Sequence, residues 1–200
     1  MKLIPANIEL ENERVRLRML DNNDSGVLLR FAMDEPELWK YSLQNAAGEQ
    51  GMITYLDKAL SDFETGTSFP FIVYDKREGA YAGSTRFYDI NIENKTLQLG
   101  YTWYGKKFQG TGLNKNCKFL LLEYAFEILQ MERVEFRADA MNSCSIAAMK
   151  SIGCQVEGIL RRHFIKPDGS RRDSIILSIL KPEWHGTVKE NLSRQIENLL

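Results

Sequence analysis

Gln98-Leu-Gly-Tyr-Thr-Trp-Tyr-Gly-Lys-Lys-Phe-Gln-Gly-Thr-Gly-Leu-Asn114 changes its period partway along, and that change decides the fold. Leu97, Leu99, Tyr101 and Trp103 alternate with other residues, the pattern of a strand. Gly105 breaks the strand. Gly110 and Gly112 allow a sharp turn and a close backbone approach to a ligand. From Leu113 the period becomes helical: Leu113, Cys117, Leu120, Leu121, Tyr124 and Ile128 fall on one face. A glycine-rich turn that opens a helix exposes unpaired N–H groups at the positive end of the helix dipole, where phosphates bind. The same residues also suit a tight strand-to-helix connection that holds no ligand.

Working outward, the remaining elements alternate in kind. Towards the N-terminus, Arg14-Val-Arg-Leu-Arg-Met19 reads as a strand. Asp21-Asn-Asn-Asp-Ser25 is a cap-rich turn into a helix carrying Val27, Leu28, Phe31 and Ala32. Pro36 starts a short piece through Trp39. Gly48 and Gly51 bracket a loop, and Met52, Tyr55, Leu56, Ala59, Leu60 and Phe63 make an amphipathic helix ending near Gly66. Ser68 to Tyr74 and Tyr81 to Ile92 read as strands joined by a turn at Lys76-Arg-Glu-Gly79. Towards the C-terminus, Arg133 to Ala138 alternates again. Asn142 can cap a helix that closes at Gly153. Val156 to Ile165 and Ser174 to Leu180 are strands joined through Pro167-Asp-Gly169, and a polar helix runs from Val188 to Leu199. The expectation is one α+β domain over residues 1–200, with a mixed, mostly antiparallel sheet of six to seven strands flanked by helices.

Composition narrows the function. The 200 residues carry a net charge of −1, so no global field draws the chain to nucleic acid or an anionic membrane. No apolar run approaches the length of a membrane span, and Met1-Lys-Leu-Ile-Pro5 lacks a signal-peptide core. Cys117, Cys144 and Cys154 lack the spacing of a zinc site and are odd in number, which favours a reducing cytoplasm. His163 and His185 are the two histidines, so no histidine-rich metal centre is expected.

The ordered motifs Leu99-Gly-Tyr-Thr-Trp103, Gly110-Thr-Gly-Leu-Asn114, Asn142-x-x-Ser145, Glu157-Gly-x-Leu-Arg161 and Asp168-Gly-x-x-Arg-Asp173 resemble those of the GNAT acyl-CoA-dependent N-acetyltransferases. The match is closest to the branch of the RimJ and RimL enzymes, which acetylate ribosomal proteins, and it runs from about Glu13 to Trp184. Lys107 stands where the family loop usually has Gln or Arg, and Lys106 where the branch often has Pro. The resemblance implies a core over about residues 13–184 and central strands that splay apart; the C-terminal helix, over about 187–199, is read from its apolar stripe at Val188, Leu192, Ile196 and Leu199. It implies acetyl-CoA as cofactor and a primary amine as acceptor, either a protein N-terminus or a small amine. It also implies a cytoplasmic enzyme, with a homodimer among the assemblies the branch forms. The alternative is an acyl-CoA-binding regulator that has lost catalysis.

The resemblance further assigns roles. Amides of residues 108–113 would cradle the pyrophosphate, and the cofactor set is Thr102, Trp103, Phe108, Gln109, Gly110, Thr111, Gly112, Leu113, Asn114 and Asn142. A strand bulge, placed here at Tyr101-Thr102, would aim an amide at the thioester oxygen. Ser145 corresponds to the serine proposed to protonate the leaving thiolate, and Asn142 to a pantetheine contact as well as a helix cap. The general base has no obvious occupant. The branch sometimes uses a glutamate where Phe164 stands. His163, Asp89 and Tyr101 are candidates, and so is a relayed water. Strand alternation would put His163 and Phe164 on opposite faces. Arg161, Arg162, Arg171 and Arg172 read first as solvated strand charge beside Glu157, Asp168 and Asp173, and second as contacts for an acidic peptide or the nucleotide 3′-phosphate. Cys144 has no evident activating histidine–acid pair. A P-loop and a GxGxxG fingerprint are both missing, which disfavours an unrelated nucleotide-binding protein.

Overall fold

The computed structural model describes residues 3–166 and 169–198. Its strands are β1 (Glu9–Glu11), β2 (Val15–Met19), β3 (Ser68–Asp75), β4 (Ala80–Asn91), β5 (Thr96–Tyr104), β6 (Arg133–Asp139), β7 (Gln155–Ile165) and β8 (Arg171–Leu180). They form one sheet in the order β1-β2-β3-β4-β5-β6-β8-β7. All neighbours are antiparallel except β5 and β6. The helices are α1 (Ser25–Asp34), α2 (Gly48–Glu64), α3 (Leu113–Glu123), α4 (Ser143–Ser151), α5 (Lys181–Glu183) and α6 (Lys189–Glu197).

The α+β expectation holds, with eight strands rather than six or seven. The added strand is β1, three residues reading Glu-Leu-Glu, too short to show alternation. Two helix expectations are also corrected. Gly48 and Gly51 are not in a loop, because α2 already starts at Gly48. A Cβ on Gly51 would lie 2.9 Å from the backbone carbon of Ala46, so this glycine serves a close chain crossing inside the helix. Ile128 does not share the buried face of Leu113 and Leu121. A π-helical turn at Tyr124–Ile128 rotates the chain, leaving Ile128 exposed while Ala125 and Phe126 are buried. The expected Pro167-Asp168 turn and the end of the last helix at Leu199 lie outside the described residues.

The fold positions the site through one irregularity. β5 pairs with β6 only at Thr96↔Arg133, Leu97↔Val134 and Gln98↔Glu135. β6 continues alongside β8 as far as Asp139↔Ser174. The two central strands therefore separate after Gln98, leaving a wedge. Aromatic packing supports the separated part of β5. Trp103 lies 4.8 Å from Trp39 and 5.6 Å from Phe31 between ring centroids, and its indole Nε1 donates to the Tyr55 hydroxyl at 3.2 Å. Such rings each stabilise by about 3–5 kcal/mol when judged by truncation to alanine. α1 and α2 thus anchor the end of the strand that has lost a neighbour.

Candidate functional site

The loop after β5 is strapped by its own residues. Lys106–Phe108 forms a 3-10 turn in which the Phe108 amide donates to the Gly105 carbonyl at 2.9 Å and the Gln109 amide to that of Lys106 at 3.1 Å. The Gln109 carboxamide donates to the Tyr104 carbonyl at 2.8 Å, and the Thr111 hydroxyl to the Phe108 carbonyl at 2.8 Å. The Phe108 ring is buried. Gly110 and Gly112 have φ of +72° and +86°, the left-handed region where a Cβ is disfavoured. No side chain caps α3, and among the described residues the amides of Gly110 to Asn114 make no hydrogen bond. The cradle expected over residues 108–113 is therefore narrower at its start: the amides of Phe108 and Gln109 are engaged, and the free set begins at Gly110. Asn116 braces the loop from below, donating to the Gly112 carbonyl at 3.1 Å and accepting from Asn12 at 2.9 Å.

The β5 bulge lies at the expected place. Ser84 faces Trp103 and Arg86 faces Gly100, so Thr85 opposes both Tyr101 and Thr102. Tyr101 has φ of +48°, a conformation that costs a non-glycine residue about 1–3 kcal/mol. Contacts hold it there: its ring lies 4.2 Å from the Arg86 guanidinium carbon and 4.9 Å from the Tyr88 ring. Thr102 turns its hydroxyl to Thr85 at 2.7 Å. The Thr102 and Trp103 side chains are thus occupied, and it is backbone that borders the wedge.

Sequence reasoning passed over Lys118. It is 4% exposed on α3 and donates to the hydroxyls of Thr102 at 2.7 Å and Thr85 at 3.2 Å, with no carboxylate bridged to it among the described residues. Burial pushes its amine down to about 8. A signal was present: Leu120-Leu-Leu122 with Ala125 and Phe126 makes the helix apolar on several faces, so a charge in it has no solvent to reach. Lys118 ties α3 to the underside of the bulge.

The opposite lip of the wedge is built by β6 and α4. The Asp139 carboxylate accepts from the Met141 amide at 2.9 Å, turning the chain at the end of β6. The Asn142 Oδ1 then accepts from the Ser145 amide at 3.0 Å, so the expected cap is present. Ser145 is half-buried in the first turn. His163 lies on β7, where the register slips between Leu160 and Phe164 and Arg162 has φ of +53°. The slip defeats the expected alternation, and the His163 and Phe164 rings sit 3.9 Å apart. Burial, with the guanidinium charges of Arg137 and Arg172 nearby, holds the His163 imidazole below its usual value.

The arginine group reads differently from expectation. Arg161, Arg162 and Arg171 are exposed, but Arg172 is 7% exposed and its Nε has no partner among the described residues. Glu157 bonds Arg133 and Ser178 instead, and Asp173 accepts from the Arg162 amide at 2.6 Å. Asp89, another candidate base, has φ of +49° and accepts from Gln98 at 2.6 Å. No hydrogen bond links Ser145, Tyr101 and His163 among the described residues. Cys144 is exposed. No group of three or more His, Cys, Asp or Glu side chains that could hold a metal occurs among the described residues. Nor is any described helix long and apolar enough to cross a membrane.

Tyr101 also lines a cavity of about 410 Å³, with Lys58, Asp62, Arg86, Tyr88 and Asp89. A larger groove of about 550 Å³ lies between α4 and the C-terminal helices, away from the wedge, and among the described residues holds no unpartnered buried side chain. The smaller cavity is the one joined to the bulge.

The geometry agrees with the comparisons to known proteins. The chain is 28% identical to the "Uncharacterized N-acetyltransferase p20" of Bacillus licheniformis, over 88% of this chain and 98% of that one. It is 27% identical to the "Putative ribosomal N-acetyltransferase YdaF" of Bacillus subtilis, over 88% and 96%. The crystal structure of a "putative acetyltransferase" from T. thermophilus superposes with a TM-score of 0.86 at 31% identity, covering 98% of this chain and 99% of that one. Residues 14–155 match the family model described as an acetyltransferase (GNAT) domain. With its wedge between β5 and β6, its uncapped glycine loop and that match over most of its length, the chain belongs to the GNAT family of acetyltransferases.

Proposed function

We propose that the whole chain acts as one acetyltransferase domain, moving an acetyl group from acetyl-CoA to a primary amine by direct attack in a ternary complex. The observation that carries this is the run of free amides from Gly110 to Asn114 beside the open edge of β5. An uncapped helix start needs an acceptor, and a pyrophosphate supplies one. The unpaired edge of β5 near Trp103 pairs with the amides of a pantetheine arm as an added strand would. Acetyl-CoA supplies the acyl group in an activated thioester.

The chain's residues then divide the remaining work. The bulge at Tyr101-Thr102 presents backbone N–H to the thioester oxygen, where negative charge develops. Asn142 spends its Oδ1 on the cap and keeps its Nδ2 for the pantetheine. Ser145 hydrogen-bonds the departing sulfur. His163 takes the proton of the amine directly or through water, and Tyr101 is the second candidate for that role. The free Cys117, Cys144 and Cys154 fit a reducing cytoplasm. One relative is described as a ribosomal N-acetyltransferase, which puts ribosomal amines among the acceptors to screen.

The test is thiol release from acetyl-CoA with an amine panel, alongside calorimetric acetyl-CoA binding. Binding plus turnover supports the reading. Binding without turnover on every amine returns to the non-catalytic regulator. Once an acceptor is found, Ser145→Ala should lower turnover by roughly ten- to a thousandfold and leave acetyl-CoA affinity near wild type, because the bond to sulfur matters only as charge builds there. Wild-type turnover in that variant, with chemistry rate-limiting, would leave Ser145 only a helix residue.

A further inference from the structure

Arg86 on β4 is 1% exposed, yet it has no carboxylate partner among the described residues. Its guanidinium is held between two rings, 4.8 Å from the centroid of Tyr55 and 4.2 Å from that of Tyr101. Its Nε and Nη2 are both buried and, among the described residues, without a hydrogen-bond partner. Arg14 shows the ordinary solution for such a group: it is also buried, and its Nη1 meets Asp75 at 2.5 Å. Stacking on rings stabilises a cation but leaves its N–H groups unsatisfied, and burying them unpaired is costly.

Arg86 is one of the residues that line the cavity Tyr101 borders. Neither carboxylate lining that cavity bonds Arg86 among the described residues. Asp62 pairs with Lys58, and Asp89 accepts from Gln98. Nε–H and Nη2–H lie on one edge of the guanidinium plane, as two parallel donors. That spacing matches the two oxygens of a carboxylate.

We infer that this cavity takes the acceptor and that Arg86 binds a carboxylate carried on the acceptor amine. The inference rests on the acetyl-transfer reading for the amine end and on the cavity alone for the carboxylate end. Because Tyr101 is both bulge residue and cavity wall, a carboxylate on Arg86 leaves the rest of a small acceptor beside the bulge. The substrate class is an amino acid, or a peptide with an acidic residue near its N-terminus. Polyamines, which bring only positive charge, fit poorly.

The experiment uses matched pairs that differ only in the anion. One arm compares free amino acids with their amides. The other compares short peptides bearing Asp or Glu in the first two positions with their Asn or Gln counterparts. Polyamines serve as the opposite charge. kcat/KM and calorimetric affinity are measured on the full chain, on Arg86→Met and on Arg86→Lys, with acetyl-CoA binding followed separately. In at least one arm the carboxylate member should be preferred by about tenfold or more, the scale of a charge-assisted pair. Arg86→Met should erase that preference, and Arg86→Lys should keep part of it. The arm that shows the preference identifies the source of the carboxylate.

The inference is overturned by equal use of acid and amide in both arms, by polyamines matching the best carboxylate acceptor, or by a preference that survives in Arg86→Met. If Arg86→Met does not fold, the wild-type pairs and Arg86→Lys decide. If acetyl-CoA fails to bind, the acetyl-transfer reading falls. The calorimetric preference of wild type for carboxylate over amide then still decides this inference by itself.

Discussion

The two ends of β5 carry the same kind of side chain and do different work. From Thr96 to Gln98 the strand has β4 on one side and β6 on the other. From Leu99 onward it keeps only β4, and a bulge bends it. Burial does not fall with pairing: Leu97 and Leu99 are each 1% exposed, and Trp103 is 8% exposed. What changes is the polar inventory. Near the open end lie the free amides of Gly110 to Asn114, the unpaired edge of Arg86, and Lys118 beneath the bulge. The open end holds its place by packing, which needs no second ladder, and its backbone donors stay available. Stability and recognition are therefore separable along one strand.

Gly112→Val is the strongest way to break the open end alone. At φ of +86° a β-branched residue is strained, and its side chain occupies the space a phosphate needs. Acetyl-CoA affinity should fall at least ~100-fold, the loss of several charge-assisted hydrogen bonds, in a protein that still melts cooperatively. Unchanged affinity in the folded variant would remove the loop from the site. Leu97→Ala addresses the paired end. It should cost about 2–5 kcal/mol, or roughly 4–20 °C in Tm, and leave acetyl-CoA affinity unchanged below the melt. If it weakens binding as much as Gly112→Val does, the two ends are not independent.

The sequence was informative where local rules act. The Asn142 cap and the Gly112 turn depend on residue type and neighbours along the chain, and each is present, while the bulge at Tyr101-Thr102 was placed by resemblance. The separation of β5 from β6 came through resemblance, since no periodicity encodes where two distant strands stop pairing. Arg86 and Lys118 were illegible for a related reason. A charge in a strand or helix pattern reads as solvent-facing. Only tertiary packing shows Arg86 between the rings of Tyr55 and Tyr101, or Lys118 under Thr102. His163 was misread because alternation assumes an unbroken ladder, and β7 slips between Leu160 and Phe164.

Lys118 sharpens the comparison through pH. Folding lowers its pKa from 10.5 to about 8. Between those values the unfolded chain holds a proton that the folded one has released, so raising the pH across this window favours the folded state. Below about 8 both states are protonated and the full penalty of a buried charge remains. At about 1.4 kcal/mol for each tenfold change in proton affinity, the window is worth about 3 kcal/mol. Urea unfolding of wild type and Lys118→Met at several pH values should show wild type gaining about that much relative to the variant between pH 8 and 10.5. At pH 7 the variant should be at least as stable, since a neutral chain replaces an unpaired cation. A pH-independent difference would mean that Lys118 titrates normally and does not sit in a dry site.

The smallest effect separates two roles of one residue. Asn142 caps α4 through Oδ1, and its Nδ2 is proposed to meet the cofactor. Asn142→Ala removes both and should cost about 1 kcal/mol of stability, roughly 2–4 °C in Tm. That alone cannot tell a cap from a contact, because a frayed helix start also displaces Ser145. Asn142→Ser can. Serine caps about as well as asparagine, so stability should return to within a few tenths of a kcal/mol of wild type. Its hydroxyl is too short to replace the carboxamide Nδ2, so acetyl-CoA affinity should stay down by about fivefold, the scale of one neutral hydrogen bond. Affinity recovering together with stability would show that Asn142 serves the wedge only by starting the helix. In that case the open end of β5 and the Gly110–Asn114 amides hold the cofactor without help from the opposite lip.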